Sequence, residues 1–130
     1  MTSEELVSAA HAARSAAYAP YSSFAVGAAL LTDSGRLFTG CNIENISFGL
    51  TICAERAAIC AAVSAGERRF TSIAIVSDSK TPVSPCGACR QVLSEFGSGL
   101  EVISATVGGE IFRTSLAELF PRPADGILGK

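Results

Sequence analysis

The chain has no tryptophan, one histidine and no concentration of basic residues; ten lysines and arginines stand against twelve acidic side chains, for a net charge of −2. Polynucleotide binding needs a clustered basic face. The nearest thing to one, Arg68-Arg69, is too small, so no nucleic acid polymer is expected as a partner. No apolar run reaches the length of a membrane span, and no membrane partner is expected. Residues 1–5 are acidic where an export signal would be basic, so the cytoplasm is the expected compartment. There the five cysteines are not expected to form disulfides, and their odd number leaves one over in any case. The lone histidine, His11, falls inside a predicted helix and reads as a partly exposed side chain.

What is present is enough for a core. With 48% of its 130 residues hydrophobic and only 17% charged, the chain is expected to form a single domain over residues 1–130. Helical spacing of Leu6, Val7, Ala10, Ala13 and Ala17 predicts a first helix over residues 3–18, capped by Thr2 or Ser3 and closed before Pro20. Residues 24–31 and 36–41 read as a hairpin around Asp33-Ser34-Gly35. Alanine-dense residues 52–65 predict a helix stopped by Gly66. Ile73-Ala74-Ile75-Val76 is a continuous apolar run, as in a strand covered on both faces. Residues 86–96 predict a helix, 100–107 and 110–113 strands, and 116–119 a short helix behind Ser115. The order implies an α/β protein with a five-stranded mixed sheet and helices on both faces.

Two short stretches carry the chemistry. Cys53-Ala54-Glu55 and Pro85-Cys86-Gly87-Ala88-Cys89 supply three thiols, enough for three corners of a zinc tetrahedron with the fourth left to water. Cys86 and Cys89, three apart, share one helix face. Both clusters fall at predicted helix starts, where the positive end of the helix favours thiolate. Three thiolates on a divalent ion leave a net negative centre, and Arg56 and Arg90, beside the ligands, are candidates to bond their sulfurs. Cys60 lies two turns beyond Cys53, too far to share the ion. It reads as a buried core thiol, and Cys41 as structural. A water-bearing zinc beside a carboxylate that is not a ligand is a hydrolytic apparatus, with Glu55 carrying the proton. Asn42-Ile43-Glu44-Asn45 follows the second strand, where open sheets place ligand sites, although it also suits a polar loop.

At these residues the chain resembles the zinc-dependent cytidine deaminases, in the small form with three cysteine ligands. The likeness runs through Tyr18-Ala19-Pro20-Tyr21-Ser22-Ser23-Phe24, Val26-Gly27-Ala28-Ala29-Leu30, Asn42-Ile43-Glu44-Asn45, Thr51-Ile52-Cys53-Ala54-Glu55-Arg56 and Ser84-Pro85-Cys86-Gly87-Ala88-Cys89-Arg90-Gln91. The resemblance implies a three-layer α/β/α fold, zinc as cofactor, a homotetramer, and a nucleoside substrate. It implies that Phe24 stacks on the pyrimidine and that Asn42 and Glu44 hold the ribose hydroxyls. Ala54 N–H and Glu55 would read the base edge, and the Ser84 carbonyl would meet the leaving amine. Zinc-activated water would attack C4, releasing ammonia and uridine or deoxyuridine.

In two places the chain departs from the pattern. Family members usually carry tyrosine where Phe48 stands and a further phenylalanine near Ala124, and both aromatics reach a neighbouring subunit's site. The sugar side of the pocket is therefore expected to be more open, or rebuilt by Phe120 or residues 125–128, and altered cytidines to be tolerated. Two alternatives are a deaminase of a modified cytosine nucleoside or blasticidin-like aminopyrimidine, and a non-catalytic zinc module. The ribose-holding pair weighs against the first, and the presence of Glu55 against the second.

Overall fold

The structure, a computed structural model, describes residues 1–129. In chain order the elements are α1 (Ser3–Arg14), β1 (Val26–Thr32), β2 (Leu37–Cys41), α2 (Ala54–Ser64), β3 (Phe70–Ser77), α3 (Gly87–Ser94), β4 (Glu101–Thr106), β5 (Ile111–Ser115) and α4 (Leu116–Leu119), with 3-10 turns at Phe48–Leu50 and Ile127–Gly129. Thr2 caps α1, its hydroxyl accepting from Glu5 N–H at 3.1 Å. The helix stops four residues earlier than its alanine pattern predicts. Ser15, Ala16 and Ala17 each donate three residues back, which tightens the chain out of the helix, and Tyr18 N–H then goes to Asn42 C=O at 2.9 Å.

The sheet order is β2-β1-β3-β4-β5. Only the β3–β4 pair is parallel, and the three other pairings are antiparallel. Alternation along the strands feeds two cores. Leu30, Ile73, Ile75 and Val102 pack against α2, α3 and Leu116, while Ala29, Ala74, Val76, Ile103 and Ala105 pack against Leu6 and Ala10 of α1. The run 73–76 is thus buried on both faces, and the mixed α/β/α arrangement expected from the element order is the one observed.

Glycines set the spacing of the layers at two points. A Cβ on Gly27 would lie 2.0 Å from Ala10 C=O, and one on Gly40 would lie 2.5 Å from both Ala54 C=O and Ala58 N. The first lets α1 lie directly on β1 and the second lets the start of α2 lie on β2. Gly40→Ala is expected to cost about 1–3 kcal/mol through overpacking. It is also expected to lower metal content, because the first turn of α2 has to move; a thermal melt and zinc per chain on one preparation check both.

The hairpin turn is tied to the chain before β3. Ser34 Oγ donates to Glu67 Oε1 at 2.8 Å and Arg36 Nη1 to Oε2 at 3.3 Å. The Ser34 hydrogen bond, chiefly, holds the Glu67 carboxyl below its ordinary pKa. A carboxylate with a depressed folded pKa stabilises above its unfolded pKa, and that stability is lost as pH falls through the folded one. Glu67→Gln is therefore expected to melt below the parent at pH 7, with the gap closing on acidification through the carboxylate range.

The cysteine-bearing segments gather at one end of the sheet. Val26 at the start of β1 pairs there with Ser77 at the end of β3, and Gly27 pairs with Cys41 at the end of β2. The N-termini of α2 and α3 meet at this same end.

Candidate active site

Cys53 and Cys86 are the N-cap residues of α2 and α3, both with extended backbone. Each helix therefore begins one or two residues later than its pattern predicts. The cap geometry turns both side chains off the helix and toward each other, and Cys89 joins them from the first turn of α3. The three sulfurs lie within 4.8 Å of one another, with Cys53 and Cys86 Sγ 3.8 Å apart. Two Zn–S bonds of about 2.3 Å at a tetrahedral angle put their sulfurs about 3.8 Å apart, so the Cys53–Cys86 spacing is that of two zinc ligands. Cys89 is fully buried.

The electrostatics favour a thiolate at Cys53. A hydrogen bond from Cys89, aided by Arg56, pulls the Cys53 thiol down to about 5, and the same partnership pushes Cys89 up. Arg56 Nη2 donates to Cys53 Sγ at 3.5 Å and to Thr51 C=O at 3.3 Å. Its charged form is strengthened chiefly by Cys53. Arg90 does not reach a sulfur. Its Nε goes to Pro85 C=O and its Nη1 to Leu119 C=O, both at 2.8 Å. Its fork thus ties the loop before Cys86 to the end of α4, correcting the expectation that it bonds the ligands. The side chain leaves α3 toward the two free carbonyls.

Glu55 is only 5% exposed, and burial is the main reason its carboxyl is pushed up to about 7. It opens, with Phe24, Asn42, Ala54, Ser84, Cys53 and Cys86, onto an inner pocket of about 210 Å³. Val26, Ile75 and Val83 complete the apolar wall. A second, outer pocket of about 350 Å³ is lined by Tyr21, Ser22, Glu44 and Phe48, and Thr51 belongs to both. Thr51 and Tyr21 were not singled out from the sequence. Their places in the chain, two residues before Cys53 and three before Phe24, are the only signal the sequence carries for them.

Asn42 and Glu44 both reach the site and also build it. Asn42 Oδ1 accepts from Val26 N–H at 3.0 Å, and its Nδ2 donates to Phe24 C=O at 2.7 Å. Glu44 accepts from the Tyr21 and Ser22 amides at 2.9 and 3.2 Å and from the Ser22 hydroxyl. These contacts hold its carboxyl below the ordinary value, the Ser22 hydroxyl most of all. Ser23, between them, has φ 59°, left-handed backbone that a non-glycine residue adopts only when its surroundings hold it there.

Other expectations fare differently. Cys60 is exposed, not a core thiol. It lies two residues from Ala58 and from Ala62, which face the sheet, and two residues is about 200° around a helix. Cys41 is half-buried at the end of β2. His11 is exposed on α1, across the sheet from the cysteines. Phe48 is 73% exposed, its ring edge-on to Tyr21 with centroids 6.0 Å apart. The C-terminal segment lines neither pocket. It lies along α3, where Gln91 Nε2 donates to Pro123 C=O at 3.2 Å, so within one chain neither Phe120 nor residues 125–128 rebuild the sugar side.

The arrangement matches known proteins closely. The family described as the cytidine and deoxycytidylate deaminase zinc-binding region matches residues 1–105. A cytidine deaminase of Sporosarcina psychrophila is 49% identical over 122 residues, covering 93% of this chain and 90% of the relative. One from Halalkalibacterium halodurans is 48% identical over 122 residues, covering 93% and 92%. Among solved structures, the cytidine deaminase of Burkholderia pseudomallei superposes with a TM-score of 0.91 at 51% identity, covering 93% of this chain and 98% of that one.

Proposed function

Since this chain belongs to the cytidine and deoxycytidylate deaminase family, we propose that it hydrolyses cytidine and 2′-deoxycytidine to uridine and 2′-deoxyuridine, with release of ammonia. The observation that carries this reading is the meeting, in one pocket, of the sulfurs of Cys53 and Cys86, the buried carboxyl of Glu55 and the ring of Phe24. Cys53, Cys86 and Cys89 would hold the zinc. Bound there, the metal is a Lewis acid that makes water nucleophilic near neutral pH.

The chain's own groups do the rest. Glu55, pushed up to about 7, is poised to move two protons in turn, one from the attacking water to N3 of the ring and a second from the hydroxyl this leaves on C4 to the departing amine. Phe24 stacks on the pyrimidine. Ala54 is the first residue of α2, so its N–H lacks an intrahelical partner and is free to donate to the base edge. The Ser84 carbonyl accepts from the leaving amine. Asn42 and Glu44 keep acceptor or donor capacity beyond the contacts that fix them, and they hold the ribose hydroxyls. Arg56 offsets the negative charge of the thiolates. Water and nucleoside go in, and nucleoside and ammonia come out, with no net proton left on Glu55.

The wide outer pocket beside exposed Phe48 supports tolerance of cytidines altered at N4 or the 5′ position. Ile46, Phe48 and Leu50, at 80%, 73% and 64% exposure, form an apolar segment suited to burial against further copies of the chain, as in a homotetramer. No helix among the described residues is long and apolar enough to cross a membrane, which fits action on a free nucleoside in the cytoplasm. A panel of cytidine, deoxycytidine, N4- and 5′-modified cytidines and a blasticidin-type aminopyrimidine tests the reading. Fastest turnover of the two plain nucleosides supports it, and turnover of the antibiotic alone replaces it with the second reading. Light scattering on the same sample tests the tetramer.

A further inference from the structure

We propose that Asp78 is a positioning residue for the base pocket: its carboxylate holds the backbone that carries Phe24 and thereby sets the affinity for the pyrimidine. This rests on the reading of Phe24 as the stacking wall.

Phe24 belongs to no regular element, since β1 begins at Val26. The residue before it has left-handed backbone, so local propensity does not hold the ring in place. Three side chains do. Ser22 Oγ, itself bonded to Glu44, accepts from Phe24 N–H at 3.0 Å. Asn42 takes Phe24 C=O and Val26 N–H. The remaining amide, Ala25 N–H, donates to Asp78 Oδ2 at 3.2 Å. Asp78 follows Ser77, the residue of β3 that pairs with Val26, so its carboxylate stands where the next rung of the ladder would be and replaces it.

The other oxygen of the same carboxylate is held from the far side of the sheet. Arg14, the last residue of α1, donates from Nη1 to Asp78 Oδ1 at 2.8 Å. Its Nε, buried, has no partner among the described residues, and the bond to Asp78 is the guanidinium's one side-chain hydrogen bond among them. The two side chains are 26% and 31% exposed. An ion pair that open to solvent contributes little to stability. Its consequence is geometric, because it fixes the rotamer of Asp78 and so the point at which Ala25 is held. With Asp78 gone, the segment from Ser23 to Ala25 keeps its contacts on one side only, and the ring is free to tilt away from the base.

The test is a double-mutant cycle on cytidine turnover. Asp78→Ala is expected to raise KM about tenfold with kcat changed less, because the ring acts on base binding. Phe24→Ala is expected to raise KM by roughly ten- to a hundredfold. In the double variant, removal of Asp78 is expected to add no more than about twofold to the effect of Phe24→Ala, since the clamp acts through a ring that is no longer there. Asp78→Asn keeps an acceptor for Ala25 but turns a donor toward Arg14. Its expected effect is about threefold, vanishing in the Phe24→Ala background, and it carries the cycle if the alanine variant does not fold. Zinc per chain is expected to stay constant throughout. A KM within twofold of the parent for Asp78→Ala, or additive effects in the cycle, overturns the clamp. A parent that does not turn over cytidine overturns the function above instead, so the two failures are distinct.

Discussion

Glu55→Gln is expected to deaminate cytidine about a thousandfold more slowly than the parent while binding as much zinc, since positioned proton transfer contributes about 10²–10⁴ to such reactions. Glutamine keeps the shape of the side chain and loses its ability to exchange a proton. The carboxyl is 5% exposed and coordinates nothing that the three sulfurs do not already hold. The fold is not expected to suffer either. A carboxylate buried in an apolar pocket costs desolvation, and an amide of the same size removes that charge. The thermal midpoint of the variant is accordingly expected to equal or exceed that of the parent. Absorbance loss, metal content and a melt on the two proteins decide the matter, and a variant within tenfold of the parent's rate removes Glu55 from the proton path.

Cys89→Ser is expected to have the largest effect on the molecule as a whole. Cys89 is fully buried in the first turn of α3 and, as a proposed ligand, would bring the metal against the helix, with Cys53 and Cys86 approaching from the two caps. A three-thiolate zinc site is worth on the order of 10 kcal/mol when ligand binding is coupled to folding, and a serine hydroxyl is a poor substitute for thiolate. Zinc content is expected to fall from one per chain to below about a tenth, with activity falling at least a thousandfold and several kcal/mol of stability lost alongside the metal. Cys60→Ser is the matched control. It lies on the outer side of α2 and is exposed, so zinc, rate and melting temperature are expected to stay at parental values.

Much of this site was legible in the order of residues because its chemistry is local. Cys53 and Glu55 are two apart, Cys86 and Cys89 three apart, and helix caps impose a geometry that needs no knowledge of the rest of the chain. The sheet was legible for a similar reason, since the run 73–76 reads as a strand buried on both faces and is one. What was not legible depends on which elements meet. Arg90 reads like a neighbour of the cysteines, yet its guanidinium finds carbonyls from the start of α3 and the end of α4, the second of them 29 residues away in sequence. Cys60 reads as apolar and therefore buried, but its angle on α2 turns it outward. Asp78 sits in a loop of ordinary turn residues, and only the register of β1 on β3 brings it to Ala25, 53 residues away. Asn42 and Glu44 are intermediate. Their position at the end of β2 was foreseeable, but their second use as braces for residues 21–26 was not, because it depends on the left-handed bend at Ser23.

The sugar side of the pocket divides in the same way. The sequence marks Phe48 and Ala124 as departures from the family's aromatic pattern, and Phe48 does stand exposed at the rim of the outer pocket. Where the tail goes depended on Arg90 and Gln91, whose bonds to Leu119 and Pro123 lay it along α3 and away from both pockets.

The central claim is that three cysteine sulfurs and one buried glutamate make this chain a zinc-dependent hydrolase of cytidine. The most direct measurement tracks uridine and ammonia together from one cytidine solution, with zinc per chain determined on the same protein before chelation, after it, and after zinc is restored. The account predicts one ammonia per uridine, about one zinc per chain, loss of both products with the metal, and their return with it. Full zinc occupancy without ammonia, or undiminished turnover by the chelated protein, would contradict it.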